Sequence, residues 1–269
     1  MTHTHLKAVV LECAGTVVDH GSLAPMGVFQ RSFALFGVEI SVDEARGPMG
    51  MAKRDHIRAV MTLPRVAAAR EAAHGAAPTE ADMDRVYDIF VPMNVDVVAD
   101  YATLIEGAAA TAAEIRARGL KIGSTTGYTR EIMAPLLPLA ADQGYAPDNI
   151  DCAGDLAEGH PTPLMLYRTF LDLGVWPAWS VVKVDDTEVG IAEGLNAGCW
   201  TVGVALTGNV FGLNAEDTAT MAADAFARKL DDAYGRLLRA GAHYVVDSVA
   251  ELPGILDEIE GALARGERP

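Results

Sequence analysis

Lys53 has the most specific chemistry open to any residue of this 269-residue chain. It lies in the run Pro48-Met49-Gly50-Met51-Ala52-Lys53-Arg54-Asp55-His56, within a stretch of helical periodicity. A lysine held in a pocket can lose its proton, attack a carbonyl carbon and form an imine. About forty residues earlier, Val9-Val10-Leu11-Glu12-Cys13-Ala14-Gly15-Thr16 sets a carboxylate, Glu12, at the end of an apolar run that reads as a strand. A carboxylate there is open to three readings: a metal ligand, an acid or base beside an imine, or a relic. Cys13 stands next to it without a paired base in the sequence, so it reads as a buried neutral thiol rather than a nucleophile.

These groups need a scaffold that gathers strand ends. A short buried strand is expected over 6–11, and then only helical patterning over about 22–100. Pro25 opens a helix that Gly37 ends, Ser41 to Glu44 resembles a capping box, and a third helix over 51–61 stops at Pro64. Thr79 caps a long helix running to 98, and the Ala/Arg/Glu-rich stretch 67–78 reads as a solvated connector. Beyond it, strands at 120–124, 181–184, 200–204 and 243–246 alternate with helices at 108–118, 130–143, 163–173, 189–197, 214–239 and 249–264. The pattern predicts an α/β fold: a Rossmann-like doubly wound parallel sheet with an inserted all-helical domain. The core takes 1–21 and 100–269, and the insertion 22–99. Ligands of such sheets bind beyond the carboxyl ends of the strands, where Glu12, Ser124-Thr125-Thr126 and Asp185-Asp186 all fall.

Composition narrows the partners. The net charge is −16, with no cluster of Lys and Arg, so no basic face for nucleic acid is expected. No apolar run is long enough to span a membrane, and Met1 to His5 show no leader pattern. Three widely spaced cysteines, Cys13, Cys152 and Cys199, give neither a disulfide framework nor metal-type spacing. The expectation is a cytoplasmic enzyme for a small carbonyl compound.

Nearly the whole chain resembles the haloacid-dehalogenase superfamily and, more narrowly, its phosphonatase family. The resemblance rests on Ala14-Gly15-Thr16 with Val18-Asp19, on Ala24-Pro25, and on Pro48-Met49-Gly50 through Lys53 to Asp55-His56. It continues in Lys121-Ile122-Gly123-Ser124-Thr125-Thr126-Gly127-Tyr128-Thr129-Arg130, Asp186-Thr187, Asn196-Ala197-Gly198 and Gly241-Ala242-His243. In that family a lysine of the helical cap condenses with the aldehyde of phosphonoacetaldehyde. An aspartate then takes the phosphoryl group while Mg²⁺ neutralises its oxygens. The resemblance implies Lys53 as imine former, with His56, one helical turn along, assisting proton transfer. It implies substrate contacts at Met49, Gly50, Thr126, Gly127 and Tyr128, and a magnesium site with Asp186 and the Ala14 carbonyl as ligands; the carboxylates of Glu12 and Asp185 are this chain's further candidate ligands. It also implies a homodimer through a cap that hinges near 20–24 and 100–104.

The chain departs from the family where it matters. Glu12 replaces the nucleophilic aspartate, His160 a phosphonate-binding arginine, Gly190 a second acid of the metal site, and Cys13 a bulky aromatic; Asp185 is gained where the family has glycine. An added methylene displaces a carboxylate by about an ångström, more than reactive geometry tolerates. Histidine lacks the bidentate fork of arginine, and an extra acid repels a dianion. His160 and Cys13 are retained as substrate contacts. The expectation is therefore a Schiff-base-forming lyase or hydrolase, without an organic cofactor. Lys53 holds a small aldehyde or ketone, Glu12 and His56 move protons, and a bond beside the carbonyl that need not be C–P is cleaved or rearranged, as in a retro-aldol step, dehydration or decarboxylation. One alternative is a true Mg²⁺-dependent phosphonoacetaldehyde hydrolase. The other is a non-catalytic binding protein on a decayed scaffold.

Overall fold

The computed structural model describes residues 5–269, so the first four residues of the leader-free N-terminal reading lie outside it. The chain opens with β1 (Ala8–Leu11), an apolar strand buried at all four residues. Five helices follow: α1 (Ala24–Leu35), α2 (Val42–Arg46), α3 (Lys53–Met61), α4 (Pro64–His74) and α5 (Glu80–Val98). Ser41 and Thr79 each cap a helix as a complete capping box, which is why α2 and α5 start where they do. α5 packs against α1 and α3, and the Phe29 ring lies between those of Phe90 and His56, with centroids 4.3 and 4.0 Å away.

Helix and strand then alternate: α6 (Ala108–Ala117), β2 (Lys121–Thr129), α7 (Arg130–Asp142), β3 (Asn149–Ala153), α8 (Leu164–Leu173), β4 (Val181–Asp185), α9 (Glu188–Ala197) and β5 (Trp200–Val204). The chain closes with α10 (Ala215–Thr220), α11 (Ala223–Arg239), β6 (Tyr244–Val246) and α12 (Leu252–Ala264). All six strands form one parallel sheet in the order β3-β2-β1-β4-β5-β6. The chain reverses its direction of growth between β1 and β4, so that junction is the switch point where α/β folds place ligands. Leu11 pairs with both Ser124 and Val184, so Glu12 emerges there with Thr125 and Asp185 on either side.

Three elements differ from expectation. β3 was not expected; its sequence, Asn149-Ile150-Asp151-Cys152-Ala153, carries two polar residues and pairs only with β2 at the sheet edge. The supposed connector forms most of α4, because Pro64 occupies the first turn and opens a helix as well as ending the previous one. The long helix over 214–239 is two, separated by extended backbone at Met221 and Ala222. No helix among the described residues is long and apolar enough to cross a membrane.

Candidate active site

A small cavity joins the end of β1 to the start of α3. Glu12, Ala14, Ser22, Met49, Gly50, Lys53, Gly127, Tyr128 and Thr187 line it. The space open to the centre of a water-sized sphere is about 20 Å³, room for about one water molecule. A larger cleft of about 770 Å³ runs along the two expected hinges, beside Leu23 and Leu104, but Lys53 and Glu12 take no part in it. The candidate residues Lys53 and Glu12 both line the small cavity.

Lys53 is the first residue of α3 and only 3 % exposed. Its Nζ sits 4.8 Å from the Tyr128 ring centroid and 5.9 Å from that of Phe29. Burial pushes its pKa down to about 8, against the opposing pull of Glu12 and Asp186. At pH 7 about one Lys53 in ten is then neutral, against about one ordinary lysine in several thousand. Only the neutral amine attacks a carbonyl, and the neutral form grows as pH rises. The value of kcat/KM is therefore expected to climb about tenfold per pH unit from pH 6 and to level off above about 8. A profile flat between pH 6 and 9 would rule out Lys53 as the titrating nucleophile.

His56 follows one turn later and donates from Nε2 to the Ala45 carbonyl at 2.6 Å. Burial and then the Lys53 charge push its pKa down to about 3, so the ring is neutral. Nδ1, left bare by that tautomer, is buried without a hydrogen-bond partner among the described residues. It can accept a proton, though only as a weak base.

Glu12 accepts from the Thr126 hydroxyl at Oε1, 2.7 Å away, and its Oε2 is buried without a partner among the described residues. Burial, then Asp185, pushes its pKa up. Thr126 thus serves the carboxylate rather than standing free as a donor to an anion. Asp186 accepts from Thr16 Oγ1 at 3.0 Å and from the Asn209 amide at 2.8 Å. A Cβ on Gly15 would lie 2.1 Å from Asp186 Oδ2, which puts this carboxylate hard against the 14–16 turn. Burial, and then the charge of Asp185, hold Asp186 well above the usual carboxylate range.

A hard divalent cation fits these donors. Glu12 Oε2 is an orphaned buried oxygen, Ala14 borders the same cavity, and the donor set is all oxygen. Positive charge would also relieve the repulsion among the acids. No group of three or more His, Cys, Asp or Glu side chains able to hold a metal occurs among the described residues, so a backbone carbonyl and water must complete the shell.

Asp185 is placed otherwise than expected of a metal ligand. Its Oδ1 takes bonds from the Thr187 amide and hydroxyl at 2.9 and 2.7 Å, and its Oδ2 pairs with Lys183 Nζ at 3.1 Å. It therefore fixes Thr187, the N-cap of α9, and is itself ion-paired. A Cβ on Gly190 would lie 1.8 Å from Asp185 Oδ2. The acid missing at 190 and the acid gained at 185 compete for one volume, so the pocket has exchanged an acid rather than added one. His160 also departs from expectation. It faces Gly50 and Glu193 and does not line the cavity. Cys13 is buried, absent from the lining, and its thiol is held neutral by burial.

The structure thus gathers Lys53, Glu12, Ala14, Met49, Gly50, Gly127 and Tyr128, while Thr126, His56 and Asp186 stand one layer back. Sequence reasoning missed Ser22 and Thr187 in the lining, and the buried pair Lys183 and Glu193 behind it. The pair did leave a signal: each is a lone charge inside an apolar run, Val181-Val182-Lys183-Val184 and Ile191-Ala192-Glu193.

Comparison with known proteins adds the following. Residues 6–198 match the haloacid dehalogenase-like hydrolase family. The phosphonoacetaldehyde hydrolase of Paraburkholderia xenovorans is 57 % identical over 265 residues, covering 98 % of this chain and 99 % of that one. That of Nitratidesulfovibrio vulgaris is 46 % identical over 98 % of this chain and 94 % of its own. The crystal structure of a phosphonoacetaldehyde hydrolase-like protein from Oleispira antarctica superposes with a TM-score of 0.97 at 41 % identity, covering 100 % of this chain and 98 % of that one.

Proposed function

The chain belongs to the haloacid dehalogenase-like hydrolases and, within them, to the phosphonoacetaldehyde hydrolase family, and from that premise we propose that it hydrolyses phosphonoacetaldehyde to acetaldehyde and phosphate. The expected lyase acting on a bond that need not be C–P is overturned by relatives 45–57 % identical along nearly the full chain that carry the hydrolase name. The physical case for that lyase also weakens. It took Asp185 as unpaired negative charge, whereas Asp185 is ion-paired with Lys183 and Gly190 makes room for it.

One observation carries the reading: the Lys53 amine and the Glu12 carboxylate line the same cavity. In the proposed mechanism neutral Lys53 attacks the aldehyde carbon, and water leaves as the imine forms. His56 Nδ1 is the nearby bare nitrogen for proton transfer. Phosphorus then passes from carbon to a Glu12 carboxylate oxygen, the other oxygen being left for the metal. With the imine nitrogen protonated, the C–P electron pair moves into the iminium, giving a neutral enamine on Lys53. Protonation at carbon and hydrolysis release acetaldehyde and the lysine, and a water molecule splits the acyl phosphate to restore Glu12. Mg²⁺, held by Glu12, Asp186 and the Ala14 carbonyl, would supply charge neutralisation for the phosphoryl oxygens. Tyr128 and Met49 wall the cavity and keep bulk water from the imine. A substrate larger than one water requires the helical segment to swing away first.

The same reading takes the active form as a homodimer through the helical segment, where Leu35 and Val42 are exposed, and sedimentation checks it. It places the reaction in the cytoplasm, where three unpaired cysteines are at home. The deciding experiment supplies phosphonoacetaldehyde with Mg²⁺ and follows phosphate and acetaldehyde. Both products are expected in equal amounts, with loss of turnover on chelation and recovery when Mg²⁺ is returned. Acetaldehyde and phosphate both absent under these conditions would refute the assignment.

A further inference from the structure

The loop leading into Lys53 is seated on the rim of the sheet at an unusually close contact. A Cβ on Gly127 would lie 2.9 Å from the Gly50 carbonyl oxygen and 3.0 Å from that of Met51. Gly50 itself has φ +93°, and a Cβ there would lie 2.5 Å from Thr187 Oγ1. At Gly127 backbone therefore meets backbone, while Gly50 packs against the Thr187 side chain.

His160 reaches this loop from the core side. Its Nδ1 is 2.9 Å from the Gly50 carbonyl oxygen. A carbonyl only accepts, so Nδ1 carries a proton. Its Nε2 lies 3.1 Å from Glu193 Oε2, off the line of a straight hydrogen bond, so that contact is chiefly ionic. A lone pair facing a carboxylate at that distance would be repelled, whereas a proton makes the contact an ion pair. Glu193 is anchored in turn by Lys183 Nζ at 3.0 Å and Thr125 Oγ1 at 2.9 Å. Lys183 also bonds Thr125 Oγ1 at 2.6 Å and pairs with Asp185 at 3.1 Å. Glu193, Lys183 and Asp185 are wholly buried, and Glu12 is the next charge felt by the ring.

We propose that His160 is a cationic latch: anchored to Glu193 of the core, it grips the Gly50 carbonyl and holds the loop before Lys53 down on the sheet. It is a positioning residue acting through Gly50, and its ring touches no reacting atom. Its bearing on catalysis rests on the hydrolase reading, but the latch itself does not.

The test is made on the full chain without substrate. In His160→Leu, deuterium uptake by the peptide covering 48–53 is expected to quicken by about tenfold or more, while β2 and β4 peptides exchange as in the parent. Unchanged uptake at 48–53 with those strands intact overturns the latch, and if phosphate release is lost as well, His160 is a substrate contact instead. Should His160→Leu fail to fold, the imidazole ¹⁵N resonances of the unaltered protein decide. Both His160 nitrogens are expected to be protonated at pH 7.5, and a neutral tautomer overturns the proposal. Neither the exchange readout nor the ¹⁵N readout that decides the latch involves phosphonoacetaldehyde, so failure of the latch and failure of the hydrolase reading are told apart.

Discussion

Lys53→Ala is expected to lose phosphate release from phosphonoacetaldehyde by at least about 10⁴-fold, the scale lost when a covalent nucleophile is taken from a cooperating site. It should also lose any borohydride-stable adduct on the intact protein, because the cavity then holds no amine to condense with the aldehyde. The lesion should be chemical rather than structural. Alanine suits the first turn of α3, and the side chain removed rests on the Phe29 and Tyr128 rings. Phosphate assays and intact mass, read in parallel on parent and variant, supply both numbers. Phosphate release within tenfold of the parent would eliminate the imine route.

Glu12→Gln should divide the reaction. Glutamine keeps the length of the side chain and an oxygen to accept from Thr126, but it cannot take phosphorus as a carboxylate does. Phosphate release is expected to fall on the order of 10³-fold or more. Imine formation should survive. The Glu12 charge raises the Lys53 pKa, so removing it favours the neutral amine. Borohydride should then trap a Lys53 adduct that still carries the phosphonate. Parental phosphate release by Glu12→Gln would mean that some other group accepts phosphorus.

Much of this was legible beforehand because it is local. Val9 to Leu11 and Val181 to Val184 announce buried strands by composition, and Ser41 and Thr79 announce helix starts by reciprocal capping. Lys53 stood out because its neighbours in sequence are also its neighbours in the site, Met49 and Gly50 among them. What escaped is tertiary. Asp185 and Gly190 read as an independent gain and loss, and only packing reveals that they compete for one volume. Lys183 and Glu193 lie on β4 and α9, ten residues apart, and nothing in either run specifies that their side chains meet. His160 was weighed by what an arginine would do in its place, whereas its partners are a backbone carbonyl and a buried acid.

The molecule withdraws two amines from water and gives them opposite fates. Lys53 rests against aromatic faces with its acids at a distance, and burial pushes it towards neutrality. Lys183 is gripped by Glu193 and Asp185, which hold its pKa above the ordinary lysine value despite equal burial. Of these two amines, Lys53 alone has no close counter-ion among the described residues, and the proposed imine chemistry falls to it. Under the proposed function, which lysine meets an aldehyde is set by which one is left without a close counter-ion.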